Sequence, residues 1–185
     1  MRKEIVSLSV LIFCFSTFSQ VLNTGQTMRL GSFSLTASPL AYFDNGSLPD
    51  PGFHAMFGIG LPGKLDLSFN ANFRHGRNPL FGADIEWGIL SGFPSFSFTT
   101  GIHGFNYAGI DLTANLTFPI RQVAAIYGGF DSDIDFADSR VRIPVWGFGG
   151  VEVSIKRAFK IMMELDIAAS KPAQHIMAIG IALFF

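Results

Sequence analysis

The chain has one cysteine, Cys14, so neither a disulfide framework nor a zinc-finger spacing is available to it. Charge is scarce: 15% of the residues are charged, where soluble domains carry about 25%. The signs nearly balance, with 13 Lys and Arg against 14 Asp and Glu, so no strongly basic face points to nucleic acid. No run of 18 apolar residues occurs beyond the leading segment, which removes any candidate transmembrane helix. A phosphate-cradling P-loop and a Gly-x-Ser-x-Gly nucleophile elbow are both missing. The 185 residues suffice for one ordinary domain and fall short of two.

What is present is apolar. Hydrophobic residues make up 49% of the chain, with 21 Phe and 20 Gly. High apolar content without long apolar runs means that the apolar residues are dispersed by alternation, the composition of a membrane barrel.

The first residues point to a compartment. Arg2 and Lys3 form a basic start, Val6 to Phe18 is a short apolar stretch, and Thr17-Phe18-Ser19 offers small residues where a signal peptidase reads. Residues 1–19 are therefore expected to be a signal peptide, followed by a lead over 20–28 without evident pattern and a barrel over 29–185. Bulky Phe13 before Cys14 disfavours lipid attachment at that cysteine. Removal of Arg2, Lys3 and Glu4 takes the counts from 13 basic and 14 acidic to 11 and 13, a net charge of −2.

From Arg29 onward the period is two. The clearest stretch is 65–74, where Leu65, Leu67, Phe69, Ala71 and Phe73 alternate with Asp66, Ser68, Asn70, Asn72 and Arg74. Similar alternation predicts strands over about 29–43, 53–61, 81–89, 95–103, 108–118, 141–155, 159–167 and 175–185, with a weaker one over 123–130. Pro39 predicts a bend or bulge in the first, and Gly147-Phe148-Gly149-Gly150 another in the eighth. Residues 44–52 read as a loop, Pro119 to Gln122 as a turn, and the acidic stretch Asp131 to Asp138 as a loop. The connections after the second, fourth, sixth and eighth strands are short, and most of the others are longer and more polar. That parity fits an up-and-down meander with short turns at one end.

The last stretch runs His175-Ile176-Met177-Ala178-Ile179-Gly180-Ile181-Ala182-Leu183-Phe184-Phe185. Met177, Ile179, Ile181, Leu183 and Phe185 share one face, and small residues hold most of the other. This resembles the closing strand of bacterial outer-membrane β-barrels, whose terminal aromatic and alternating apolar residues are read by the insertion machinery. The resemblance implies an all-β, closed antiparallel up-and-down transmembrane barrel of about ten strands, eight being the other possibility. It also implies location in the outer membrane of a Gram-negative-type bacterium, with lipid and the insertion machinery as partners and no nucleic acid. The alternative arrangement, a soluble periplasmic lipocalin-like barrel, turns Phe57, Phe69 and Ile85 inward around an apolar ligand.

On the membrane arrangement the non-lipid face carries Arg74, Arg142 and Lys160 against Asp66, Asp84, Glu86, Asp111, Glu152, Glu164 and Asp166. Three bases cannot neutralise seven acids, so water, cations or protons must share the lumen, and any narrow pore would favour cations.

Four histidines fall near strand ends on the longer-loop side. His54 and His103 point inward with Asp84 and Asp111 in neighbouring strands, a set that could bind metal or act as general acid and base in a rim hydrolase acting on lipid or peptide. Outer-membrane proteases and lipid deacylases place their catalytic groups near that rim, but no motif of either family occurs. Amphipathic histidines also simply suit an interface, and that reading is preferred. Asp131-Ser132-Asp133-Ile134-Asp135 has the spacing of the start of a calcium loop, yet Phe136 and Arg142 stand where an EF-hand needs Gly and Glu, so a solvated loop is expected. Tyr42, Trp87, Tyr107 and Tyr127 are read as interfacial girdle residues. The expected function is a non-enzymatic barrel, structural or narrowly conducting, with no cofactor and no metal.

Overall fold

The computed structural model describes residues 22, 24–43, 48–104, 108–121, 123–137, 140–171 and 173–185. The expected signal peptide and Tyr107 lie outside them. No helix among the described residues is long and apolar enough to cross a membrane.

Eleven strands form: β1 Phe33–Phe43, β2 Asp50–Leu61, β3 Leu65–Arg74, β4 Leu80–Leu90, β5 Ser95–Gly104, β6 Ala108–Ile120, β7 Ala124–Ala137, β8 Arg140–Arg142, β9 Val145–Lys156, β10 Phe159–Ala168 and β11 His175–Phe184. Each pairs antiparallel with its chain neighbours except that β9 passes β8 and pairs with β7. β1 pairs with β11 from Ser34↔Phe184 to Phe43↔His175 and closes the ring. The result is an all-β, closed ten-strand barrel with β8 outside it, bonded only to the upper end of β7. The ring strands are 10 to 14 residues long, against the roughly 9–11 that a tilted strand needs to cross a bilayer.

Alternation decides what each face meets. Phe57, Phe69 and Ile85 are 40%, 48% and 48% exposed on the outer surface, which reverses the lipocalin arrangement. Ser34, Thr36, Ser38, Ser97, Thr99, Thr113 and Thr117 are buried within. The interior also holds an apolar cluster, with Leu40, Tyr42, Met162, Ile176, Ala178 and Ala182 along the β10–β11–β1 wall and Tyr127 and Phe148 beside it. Tyr42 and Tyr127 thus belong to the interior and not to a girdle, while Trp87 faces outward.

Several sequence expectations change. β2 begins at Asp50, so Pro51 and Gly52 are strand and not loop. β6 runs on through Pro119 and Ile120. β7 absorbs the acidic stretch as far as Ala137, sending Asp131, Asp133 and Asp135 inward and overturning the solvated loop. The eighth stretch breaks at Ile143-Pro144 into β8 and β9.

Neither expected bulge forms. The β7–β9 and β9–β10 registers run unbroken through Gly147–Gly150. Gly150 makes room instead, since a Cβ there would fall on the Tyr127 ring directly opposite, and on β7 a Cβ at Gly129 would meet Phe148 Cζ at 2.9 Å. The β1–β2 register likewise passes through Pro39 opposite Phe53 without a shift. On the seam side, Phe33 and Phe185 exchange both backbone hydrogen bonds, so every second pair, including Pro39 opposite Ile179, is a hydrogen-bonded position. Proline has no N–H to give there. The Ser38 hydroxyl reaches the Ile179 carbonyl at 3.1 Å in its place, sharing its one hydrogen with the Pro39 carbonyl at 3.0 Å.

The first barrel strand starts at Phe33, four residues later than expected, because the chain turns through exposed Leu30 and Gly31 after a segment that lies inside the barrel. Leu22 N–H donates to Glu164 Oε1, Gly25 N–H to Thr117 Oγ1 and Met28 N–H to Asp66 Oδ2, each at 2.8 Å. These anchors sit on β10, β6 and β3, so Leu22 and residues 24–28 cross the half of the lumen at the short-turn end. Gly60 and Gly88 admit the segment, since a Cβ there would strike the Arg29 carbonyl and the Thr27 side chain. The cavity left beside it, lined by Thr24, Gln26, Met28, Asp66, Glu86 and Lys160 among others, measures about 70 Å³, room for a few waters.

Candidate functional site

Inward side chains of β4 to β7 form rows across the barrel wall at the longer-loop end. One row pairs Gly82 with His103, His103 with Gly109, and Gly109 with Asp135. The row beneath it runs Asp84, Gly101, Asp111, Asp133, and the next Glu86, Thr99, Thr113, Asp131. Glycine alternates with large polar groups for a steric reason. A Cβ at Gly109 would occupy the His103 ring, and one at Gly101 would occupy the Asp84 carboxylate. The three aspartates of β7 lie at alternate positions, so their Cα atoms stand about 6.6 Å apart on one face.

His103 lies at the centre. Its Nδ1 is 2.5 Å from Asp111 Oδ1 and its Nε2 is 3.0 Å from Asp135 Oδ1. With both carboxylates ionised, both ring nitrogens donate and the ring is an imidazolium. Asp131 accepts from the Thr113 hydroxyl. Asp133, opposite Asp111, is fully buried, and neither of its carboxylate oxygens has a hydrogen-bond partner. His103, Asp111 and Asp133 present one ligand atom each within 4.8 Å of one another.

Of the four residues proposed for a rim cluster, His103 and Asp111 are in contact. His54 is buried elsewhere, its Nδ1 2.8 Å from Asn72 Oδ1. Asp84 accepts from Asn70 Nδ2 at 2.5 Å and from the Ser68 hydroxyl at 3.4 Å. A hydrolytic relay needs a nucleophile on the second imidazole nitrogen, and the second nitrogen of His103 meets Asp135 instead.

The remaining lumen charges distribute as follows. Arg74 pairs with Asp50 at 2.5 Å, donates to Gln174 Oε1 and lies 4.3 Å over the Tyr42 ring. Lys160 pairs with Glu152 at 2.8 Å and stands over the Phe184 ring. Asp66 and Glu164 hold the inner segment. Asp66, Glu86, Glu152, Glu164 and Asp166 are all buried. Arg142 is not on the ring wall at all. It lies on β8, opposite Asp135. Met177, Ile179 and Ile181 face outward, Leu183 is half-buried and Phe185 is exposed.

Sequence reading missed Asp131, Asp133 and Asp135 as interior groups, although their i, i+2 spacing was itself the signal of a strand face. With them, ten acidic residues among those described are buried inside the barrel.

No family model and no curated protein sequence matches the chain. Among solved structures it is similar to the KdgM porin, at 8% identity and a TM-score of 0.52, over 81% of this chain and 99% of the porin. It is also similar to the outer-membrane protein Ail of Yersinia pestis in a phospholipid nanodisc, at 13% identity and a TM-score of 0.44, over 84% of this chain and 99% of Ail. Neisserial surface protein A matches at 10% identity and a TM-score of 0.43, over 83% of this chain and 96% of that protein. The likeness to KdgM is one of fold: the closed antiparallel barrel of outer-membrane proteins.

Proposed function

We propose that the chain is an integral barrel of the Gram-negative outer membrane, non-enzymatic, whose lumen is a narrow cation-favouring path stoppered at the short-turn end by Leu22 and residues 24–28. The observation that carries this reading is the reversal of faces on every ring strand. Large apolar side chains stand outside and ten acids lie inside, the arrangement that hydrocarbon demands of a barrel wall. An interior with ten acids against Arg74, Lys160 and two imidazoles attracts cations and repels anions. Support for the non-enzymatic part is geometric, since both ring nitrogens of His103 face carboxylates, those of Asp111 and Asp135.

The test is planar-bilayer recording of the mature protein beside a version lacking residues 22–28. The intact protein should conduct weakly and the shortened one more strongly, with current carried by cations in both. Anion preference, or silence in both proteins, would remove the pore and leave a structural barrel. Loss of an assayed lipid or peptide hydrolysis on His103→Gln would instead revive the enzyme.

A further inference from the structure

We propose that His103, Asp111 and Asp133 bind a divalent transition-metal ion of the zinc class inside the longer-loop half of the barrel. The site stands on the fold alone and does not depend on conduction.

Three observations converge on it. The ligand atoms already gather, one each from β5, β6 and β7 and all within 4.8 Å of one another. Asp133 is fully buried with both carboxylate oxygens unpartnered, a state that a bound cation or a proton relieves. Its side chain projects into the same space as Asp111, the residue it faces across the β6–β7 ladder. Third, His103 Nε2 is 3.0 Å from Asp135 Oδ1. A metal-ligating histidine ordinarily donates its other ring N–H to a carboxylate, which fixes tautomer and orientation. Asp135 is placed for that role, leaving Nδ1 to face the metal beside Asp111.

The chemistry selects the ion class. One imidazole nitrogen with two carboxylates suits zinc and its neighbours better than calcium or magnesium, which take oxygen alone. Metal–ligand bonds of about 2.0–2.2 Å at a tetrahedral angle hold nitrogen and oxygen roughly 3.3 Å apart. His103 Nδ1 and Asp111 Oδ1 stand 2.5 Å apart, so the imidazole gives up its proton and the pair opens by less than about 1 Å on binding. A water takes the fourth position. Gly109 is what lets the His103 ring reach this position, since a Cβ there would fall on the ring.

The mature barrel, folded in detergent and stripped with a chelator, is titrated with zinc chloride and separately with calcium chloride by calorimetry. One zinc per barrel is expected, at least tenfold tighter than calcium. Asp133→Asn and His103→Gln should each weaken zinc tenfold or more, and Glu152→Gln should leave it unchanged. Crystals of the unaltered protein grown with zinc should give one anomalous peak between His103 Nδ1, Asp111 and Asp133, a readout that needs no variant to fold. No saturable zinc binding, calcium bound as tightly as zinc, or an anomalous peak elsewhere in the lumen each overturns the site.

Discussion

The backbone N–H of Leu22 donates to Glu164 Oε1 across 2.8 Å, joining positions 142 apart in the chain. Leu22 also sits against Gly180, where a Cβ would collide with its side chain. The first described residue of the inner segment is therefore held by one carboxylate and one missing side chain. Leaving the buried Leu22 N–H without an acceptor costs about 1–3 kcal/mol, so Glu164→Ala should shift the segment toward release by tenfold or more. The mature chain carries no cysteine once Cys14 is removed with the expected signal peptide. A thiol introduced by Thr24→Cys then reports release directly. Its modification rate in folded barrels should rise tenfold or more when Glu164→Ala is added, and an unchanged rate would show that the segment is held elsewhere.

The seam carries its own test. Ser38 Oγ donates to the Ile179 carbonyl at the point where Pro39 has no N–H. Ser38→Ala should destabilise the barrel by about 1 kcal/mol. Adding Pro39→Ala should return most of that loss, since an alanine N–H reaches the same carbonyl in the unshifted register. Equilibrium urea unfolding of the two variants in lipid vesicles measures both numbers. A double variant weaker than the single one would contradict the substitution of hydroxyl for amide.

Aromatic rings over glycines give a third expectation. A Cβ at Gly150 meets the Tyr127 ring and the Met163 carbonyl, the latter at 2.6 Å, whereas one at Gly147 comes no nearer than 3.9 Å to anything. Gly150→Ala should cost about 1–3 kcal/mol through overpacking, and Gly147→Ala should stay within about 0.5 kcal/mol. Equal effects in the same unfolding assay would argue against the packing described.

Depth in the bilayer separates Phe69 from Phe81. Phe69 lies midway along β3, and Phe81 is one residue from the longer-loop end of β4. Phe69→Arg should destabilise by about 2–4 kcal/mol and Phe81→Arg by about 0–1 kcal/mol. On a water-facing wall the two would be alike and small, so a flat profile in vesicle unfolding would remove the lipid-facing assignment.

The barrel wall was legible because alternation is local. Leu65 to Arg74 states its two faces outright, and β3 has those bounds. Asp131 to Asp135 was misread because aspartate is rare in ordinary strands. That rarity reflects sheets with one watery face and one greasy core. A polar lumen beside Thr113, Asp111 and His103 removes the objection, and period two then holds through the run. Pro39 and Gly147–Gly150 misled for a related reason. Both are breakers by backbone chemistry alone, and both are rescued by partners in distant sequence, the Ser38–Ile179 bond and the Tyr127 ring over Gly150. Leu22 and residues 24–28 carry no period because their partners are set by three strands on different sides of the lumen. Of the candidate site, the sequence displayed His103 and Asp111, but their contact with Asp133 and Asp135 waited on β7.

The anchor of Leu22 also bears on the order of assembly. Glu164 and Gly180 belong to β10 and β11, the last two strands of the chain. Residue 22 precedes every strand of the ring, yet neither of these partners exists for it until the final hairpin has formed. Seating of the inner segment thus reports completion of the wall, and a barrel truncated before β10 has nothing at mid-height to keep its own beginning inside.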